Sequence, residues 1–235
     1  MNRFEILQGE IVSCQKCPRL VEYRAEVGRV KRRAYRGWNY WAKPVPGFGD
    51  PSAQLLLIGL APGAHGANRT GRMFTGDSSG DFLYKVLFAT GFASQPTSVS
   101  RDDGLKLIDA YISAAVRCAP PDNEPTIEEI RTCRPYLERE MALLKNVRVV
   151  VALGRLAFDV YLRILRDQGI LRDQGKIARP SGFVFAHDVE HHTGEGQPVL
   201  IGSYHPSQQN TSTGKLTEAM FRAVFQRARR HLTNS

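Results

Sequence analysis

The sequence predicts an α/β chain built on a parallel sheet that helices cover on both faces. Short apolar runs that lack the polar alternation of a half-exposed strand stand at 54–60, 110–115, 147–153 and 199–203. Segments with helical periodicity separate them, and each run is bounded by Gly, Pro or polar residues.

Taken in order, the run QLLLIGL at 54–60 opens into the glycine-rich stretch GLAPGAHGANRTGRMFTGD at 59–77, and a helix pattern follows at 79–90. The second run leads into AAVRCAPPDNEPT, whose last residue, Thr126, is a helix N-cap with Glu129 three positions on to complete a capping box over 126–144. The third run is followed by a helix at 155–167. The fourth opens into GSYHPSQQNTSTG and a final helix at 216–231. In such sheets ligands bind beyond the carboxyl ends of the strands, so these three loops are the places to look for chemistry.

Lys and Arg number 32 against 23 Asp and Glu, a net charge of +9 that points to a polyanionic partner. No window has the 18 or so consecutive apolar residues of a membrane span, and the N-terminus lacks the apolar core of a secretion signal. The expected location is the cytoplasm, with no membrane association. In that compartment the four cysteines are not expected to form disulfides. Cys14 and Cys17 form C-x-x-C, and Cys118 and Cys133 follow after a long gap, a set that suits a four-thiolate site for zinc or an iron–sulfur cluster. The plainer reading is four free thiols.

The first loop lacks the G-K-[ST] ending of a Walker A motif and has no G-x-G-x-x-G in register after its strand. G-x-S-x-G occurs at 76–80 as GDSSG, but not directly after an apolar strand run, where a nucleophile elbow must stand. Phosphate-loop and serine-hydrolase readings therefore fail on spacing. The histidines of HDVEHHTGEG at 187–196 read as a polar hairpin tip and not as a metal site.

GLAPG with NRTGRMFTGD, KPVPGFGD at 43–50, HPSQQNTSTG and the four cysteines together resemble the family 5, or B-type, uracil-DNA glycosylases over nearly the whole chain. The resemblance implies a three-layer α/β/α sandwich with a central, mainly parallel four-stranded sheet, forming one domain over 1–235. It implies a [4Fe–4S] cluster on Cys14, Cys17, Cys118 and Cys133. The implied activity is removal of uracil, and of other deaminated bases such as hypoxanthine and xanthine, from double- and single-stranded DNA by a monomer that leaves an abasic site.

A glycosylase must extrude a nucleotide, hold its base and stabilise both a sugar cation and a departing base anion. Phe74 is placed to stack on the base, and His205 at a strand end to donate a hydrogen bond to the base oxygen. Gly59, Gly63 and Gly66 allow close backbone approach to the base pocket. Other families of the superfamily place Asp or Asn two residues beyond the first glycine of this motif to hold the attacking water. Ala61 stands there instead, so that work falls by motif position to Asp77 and Asn123, and the alanine leaves room for larger bases.

Ser207, Gln208 and Gln209 are expected to contact the DNA backbone and fill the gap left by the nucleotide, while Asn210 matches the family's supporting asparagine. The Arg and Lys residues of 23–43, interleaved with Tyr35, Trp38, Tyr40 and Trp41, read as a DNA-gripping set. No lysine occurs in the three loops, which excludes a Schiff-base lyase step there. The reading from a different class is a non-catalytic, metal-stapled DNA-binding module that recognises bent or damaged duplex.

Overall fold

A computed structural model describes residues 2–173, 176–177 and 179–233, so the ends of the predicted 1–235 domain lie outside the described residues. Strands are β1 (Phe48–Gly49), β2 (Leu55–Gly59), β3 (Ala110–Ala114), β4 (Val149–Leu153), β5 (Arg172–Asp173), β6 (Lys176–Ile177), β7 (Val189–His192) and β8 (Val199–Ser203). Helices are α1 (Arg3–Val12), α2 (Pro18–Val30), α3 (Ala67–Thr70), α4 (Ser78–Ala89), α5 (Ile127–Leu143), α6 (Arg155–Asp167), α7 (Gln208–Ser212) and α8 (Glu218–Thr233).

The main sheet runs β1-β3-β2-β4-β8-β7. Its four central strands are the four predicted from apolar runs, and all pair in parallel. The count rises to six because β1 and β7 add antiparallel edges. Neither edge carries an apolar run: β1 is two residues long, and β7 reads VEHH with most of its side chains partly exposed. β5 and β6 form a separate two-stranded ribbon.

Burial on both faces explains the unbroken apolar strands. Leu55 and Leu57 of β2 pack with residues of α4 and α8 on one face, while Leu56 and Ile58 pack with α5 and α6 on the other. α5 starts at the predicted capping box of Thr126 and Glu129. α1 begins with another that the sequence also spells, Asn2 with Glu5. α1 and α2 pack beside α5 through a third cluster that contains Leu7, Ile11, Leu20, Val116 and Tyr136.

One buried carboxylate joins these layers. Glu140 of α5 is fully buried, pairs with the buried Arg117, and accepts hydrogen bonds from Ser113 Oγ at 2.7 Å, Tyr111 Oη at 3.0 Å and Gln8 Nε2 at 3.3 Å. It thereby fixes α5 to β3, to the loop after β3 and to α1.

Removing one partner of a buried ion pair leaves the other charge uncompensated. Glu140→Ala is expected to lower unfolding free energy by about 3–5 kcal/mol, read by urea denaturation, and Glu140→Gln, which keeps acceptor and shape, by less.

Candidate active site

The loops after β2, β3 and β8 converge at the carboxyl ends of the parallel strands around a cleft of about 620 Å³. It is lined by Gly59, Ala61, Gly63, Phe74, Asp77, Asn123, His205, Ser207, Gln208 and Gln209, all expected there from the sequence. Asn210 is placed behind this lining: its Nδ2 donates to the carbonyl oxygen of His205 at 2.8 Å and holds the strand end that carries the imidazole.

Asp77 is the N-cap of α4, with Oδ1 accepting from the Gly80 N–H at 2.9 Å. Its other oxygen lies against the loop 63–66, so close that a Cβ built on Gly66 would meet it at 1.8 Å and one on Gly63 at 2.9 Å. Burial raises the carboxyl above its usual range, and the capping N–H groups only partly oppose this. One oxygen of Asp77 thus caps α4 while the other lies against the first loop in the cleft wall.

Phe74 adopts a left-handed backbone with φ 50°, a strained conformation for an aromatic residue. Its ring lies 5.8 Å from that of His205 and touches the position a Cβ on Gly59 would take. Burial holds the His205 imidazole down to about 4, so the ring is neutral at physiological pH. Among the described residues it makes no hydrogen bond within the chain, which leaves it open to a ligand. Asp122 and Asn123 both sit at positive φ, at 55° and 60°, in the turn after Pro120, and both line the cleft from the side of β3.

The four cysteines also come together. Cys14 precedes α2, Cys17 is its N-cap residue, Cys118 follows β3 and Cys133 lies in α5, and all line one small cavity with Leu20, Val116 and Tyr136. Arg24 Nη1 donates to Cys118 Sγ at 2.9 Å, and the Arg117 backbone N–H donates to Cys133 Sγ at 3.3 Å. Burial pushes the Cys118 thiol up to about 11 and Cys133 to about 12, with Arg24 and Arg117 pulling the other way. Among the described residues, Arg24 Nε and Arg117 Nε and Nη1 are buried without a partner. Buried donors with nothing to bond, beside four thiols, fit an anionic centre in this cavity. The four cysteines share this cavity without closing into a ready-made metal-ligating group of three or more among the described residues.

The basic, aromatic segment 23–43 divides between interior packing and exposed cations. Arg24 is buried against Cys118, and the rings of Tyr35 and Trp38 enclose the buried Arg69 guanidinium at 3.9 and 4.1 Å. Arg32, Arg33, Arg36 and Lys43 remain exposed. The histidines of 187–196 are not a hairpin tip. His187 stacks on Tyr204 at 5.1 Å, and His191 packs edge-on to Phe158 and Phe183. Sequence reasoning missed His65, which lines the cleft and bonds to Tyr40; its only signal was a histidine among the first loop's glycines.

A largely buried carboxylate, a neutral imidazole and a strained aromatic ring lining one cleft at the strand ends of an α/β sheet suit an enzyme that cleaves glycosidic bonds to an extruded base. Residues 46–229 match the model of the Uracil DNA glycosylase superfamily. The type-5 uracil-DNA glycosylase of Thermus thermophilus is 52% identical over 231 residues, covering 98% of both chains. That of Mycobacterium bovis is 47% identical over 95% of this chain and 80% of its own, and that of Pyrobaculum aerophilum 44% over 94% and 89%. A type-4 enzyme from Archaeoglobus fulgidus is more distant, at 29% over 88% and 83%. The chain belongs to the type-5 uracil-DNA glycosylases of that superfamily.

Gly66 is the position where a single methyl group most directly displaces Asp77. Gly66→Ala is expected to destabilise the fold by about 1–3 kcal/mol, read as a lowered Tm. Gly9→Ala, on α1 with nothing within 4 Å of the added carbon, is expected to stabilise it by about 0.5–1 kcal/mol.

Proposed function

We propose that the protein excises uracil, and also deaminated purines such as hypoxanthine and xanthine, from double- and single-stranded DNA as a monofunctional glycosylase that leaves an abasic site. The observation that carries this reading is the convergence of Phe74, Asp77, Asn123 and His205, from three separate loops, on one cleft. The extruded base stacks on Phe74. His205, neutral and lacking an internal partner, donates to the base oxygen on which negative charge grows as the glycosidic bond breaks. Asp77 presents its free oxygen to the developing sugar cation or to the attacking water, and Asn123 reads the base edge.

Asn210 keeps His205 in place through its carbonyl. Ser207, Gln208 and Gln209, at the start of α7, contact the DNA backbone and occupy the space the nucleotide vacates. Room beside the small side chain of Ala61 supports acceptance of purines. No lysine lines the cleft among the described residues, in keeping with simple hydrolysis. Cys14, Cys17, Cys118 and Cys133 hold a [4Fe–4S] cluster, whose contribution is to staple the N-terminal helices to β3 and α5. The shared cavity, the two N–H donors to sulfur and the unpartnered arginine nitrogens support this assignment. Purified protein is expected to be brown and to contain iron and acid-labile sulfide in equal amounts; colourless protein with one equivalent of zinc would overturn the cluster.

Because its folded-state pKa is raised, Asp77 contributes stability only while protonated, and that contribution is lost as pH rises through the raised value. At neutral pH Asp77→Asn is therefore expected to leave the fold as stable as before or more so, since Asn caps equally well. Single-turnover excision should meanwhile slow on the order of 10²-fold for uracil and hypoxanthine alike. The wild-type rate should fall on acidification as Asp77 takes up its proton, and the variant should lack this limb. A variant within about threefold of wild type on both lesions would reduce Asp77 to a cap. Asn123→Ala should instead change the ranking of the two lesions, and His205→Ala should slow both on the order of 10²-fold while retaining binding to abasic DNA.

A further inference from the structure

We infer that His65, oriented by Tyr40, contacts the target nucleotide through a phosphodiester that flanks it. The inference rests on the glycosylase reading of the cleft and adds a substrate contact on the side of the cleft nearest the segment 32–40.

His65 lines the same cleft as Asp77 and His205 and is half-buried. Its Nδ1 lies 3.1 Å from the Tyr40 hydroxyl, and the two rings meet edge-on at 6.1 Å. With Tyr40 donating to Nδ1, the imidazole proton sits on Nε2, which no hydrogen bond engages among the described residues. The backbone beneath it is fixed. The His65 carbonyl accepts from Arg69 Nε at 2.7 Å, and Arg69 Nη2 donates to the Gly76 carbonyl at 2.6 Å, next to Asp77. One buried guanidinium, clasped between Tyr35 and Trp38, thus sets the spacing between His65 and the catalytic carboxylate.

The charge around His65 selects the ligand. Burial, and then the positive charges of Arg32 and Arg69, hold the imidazole below its usual range, so the nearest charges acting on this ring are positive. Arg32, Arg33 and Arg36 continue that positive charge outward along the exposed surface. A uracil or hypoxanthine ring is neutral and has His205 to recognise its oxygen. The anion that necessarily accompanies an extruded nucleotide to the mouth of the cleft is a phosphodiester on its 5′ or 3′ side, and an Nε2–H donor in a positive field suits it.

The test combines His65→Ala, His65→Gln and Tyr40→Phe with duplexes that carry a neutral methylphosphonate 5′ or 3′ of the lesion. Affinity is read by fluorescence anisotropy on a tetrahydrofuran abasic site, and excision by single-turnover rates against DNA concentration. His65→Ala is expected to weaken binding about tenfold, with the loss falling on the half-saturating DNA concentration more than on the maximal rate. His65→Gln, which keeps a donor, should recover part of it, and Tyr40→Phe should lie between. One methylphosphonate position should weaken wild type to the same degree and His65→Ala not at all. Wild-type affinity in His65→Ala, or losses that multiply at both methylphosphonate positions, would overturn the assignment. A wild type that binds with this pattern but releases no uracil would sink the glycosylase reading and leave the phosphate contact standing.

Discussion

The buried pair of Glu140 and Arg117 is the interaction on which the rest of the molecule depends. A carboxylate at zero exposure is tolerated only when its oxygens are fully engaged, and here a guanidinium, two hydroxyls and an amide engage them. Those partners come from β3, from the loop after it and from α1. Satisfying one charge therefore fixes the position of the N-terminal helix against the sheet and points the rest of Arg117 toward the cysteine-lined cavity. The same loop continues to Asn123, so the geometry of one cleft wall is set by an ion pair on the other side of the backbone.

The opposite wall depends on a second guanidinium. Arg69 bonds the carbonyls of His65 and Gly76 and is itself enclosed by aromatic rings, so the first loop is closed on itself around a rigid planar group. That closure brings Gly66 against Asp77, an approach only glycine permits. The loop needs its glycines because a carboxylate occupies the space where side chains would be. Asp77 is the one acid in the stretch because a single buried carboxylate is already raised by desolvation, and a second would raise it further.

The parallel strands were legible because burial on both faces forces continuous apolar sequence, and the cleft was legible because parallel sheets place ligands at strand ends. The edges were not: β1 is too short to show a pattern, and VEHH of β7 has a polar composition because one of its sides faces solvent. α1 and α2 carried local signals, Asn2 with Glu5 and Pro18 at the first helical position, but their narrow apolar faces meet mainly the small third cluster, with Phe4 alone edge-on to Tyr111 of the second. In the segment 23–43 composition cannot distinguish aromatic rings that face a ligand from rings that enclose an arginine further along the chain, as Tyr35 and Trp38 enclose Arg69. His65 went unnoticed for the same reason, since its partner lies 25 residues earlier and only folding reveals the pair.

Several side chains of α1 and α2 find their partners far along the chain. Gln8 meets Tyr111 and Glu140 at separations of 103 and 132 residues, Arg19 meets Glu129 at 110, and Arg139 meets Glu10 at 129. On a ribosome adding roughly 5–20 residues per second, these partners follow Gln8, Glu10 and Arg19 by on the order of ten seconds. The contacts that close α1 and α2 onto the sheet thus span long stretches of chain, and contacts of that kind carry a loop-closure cost that more local pairings avoid.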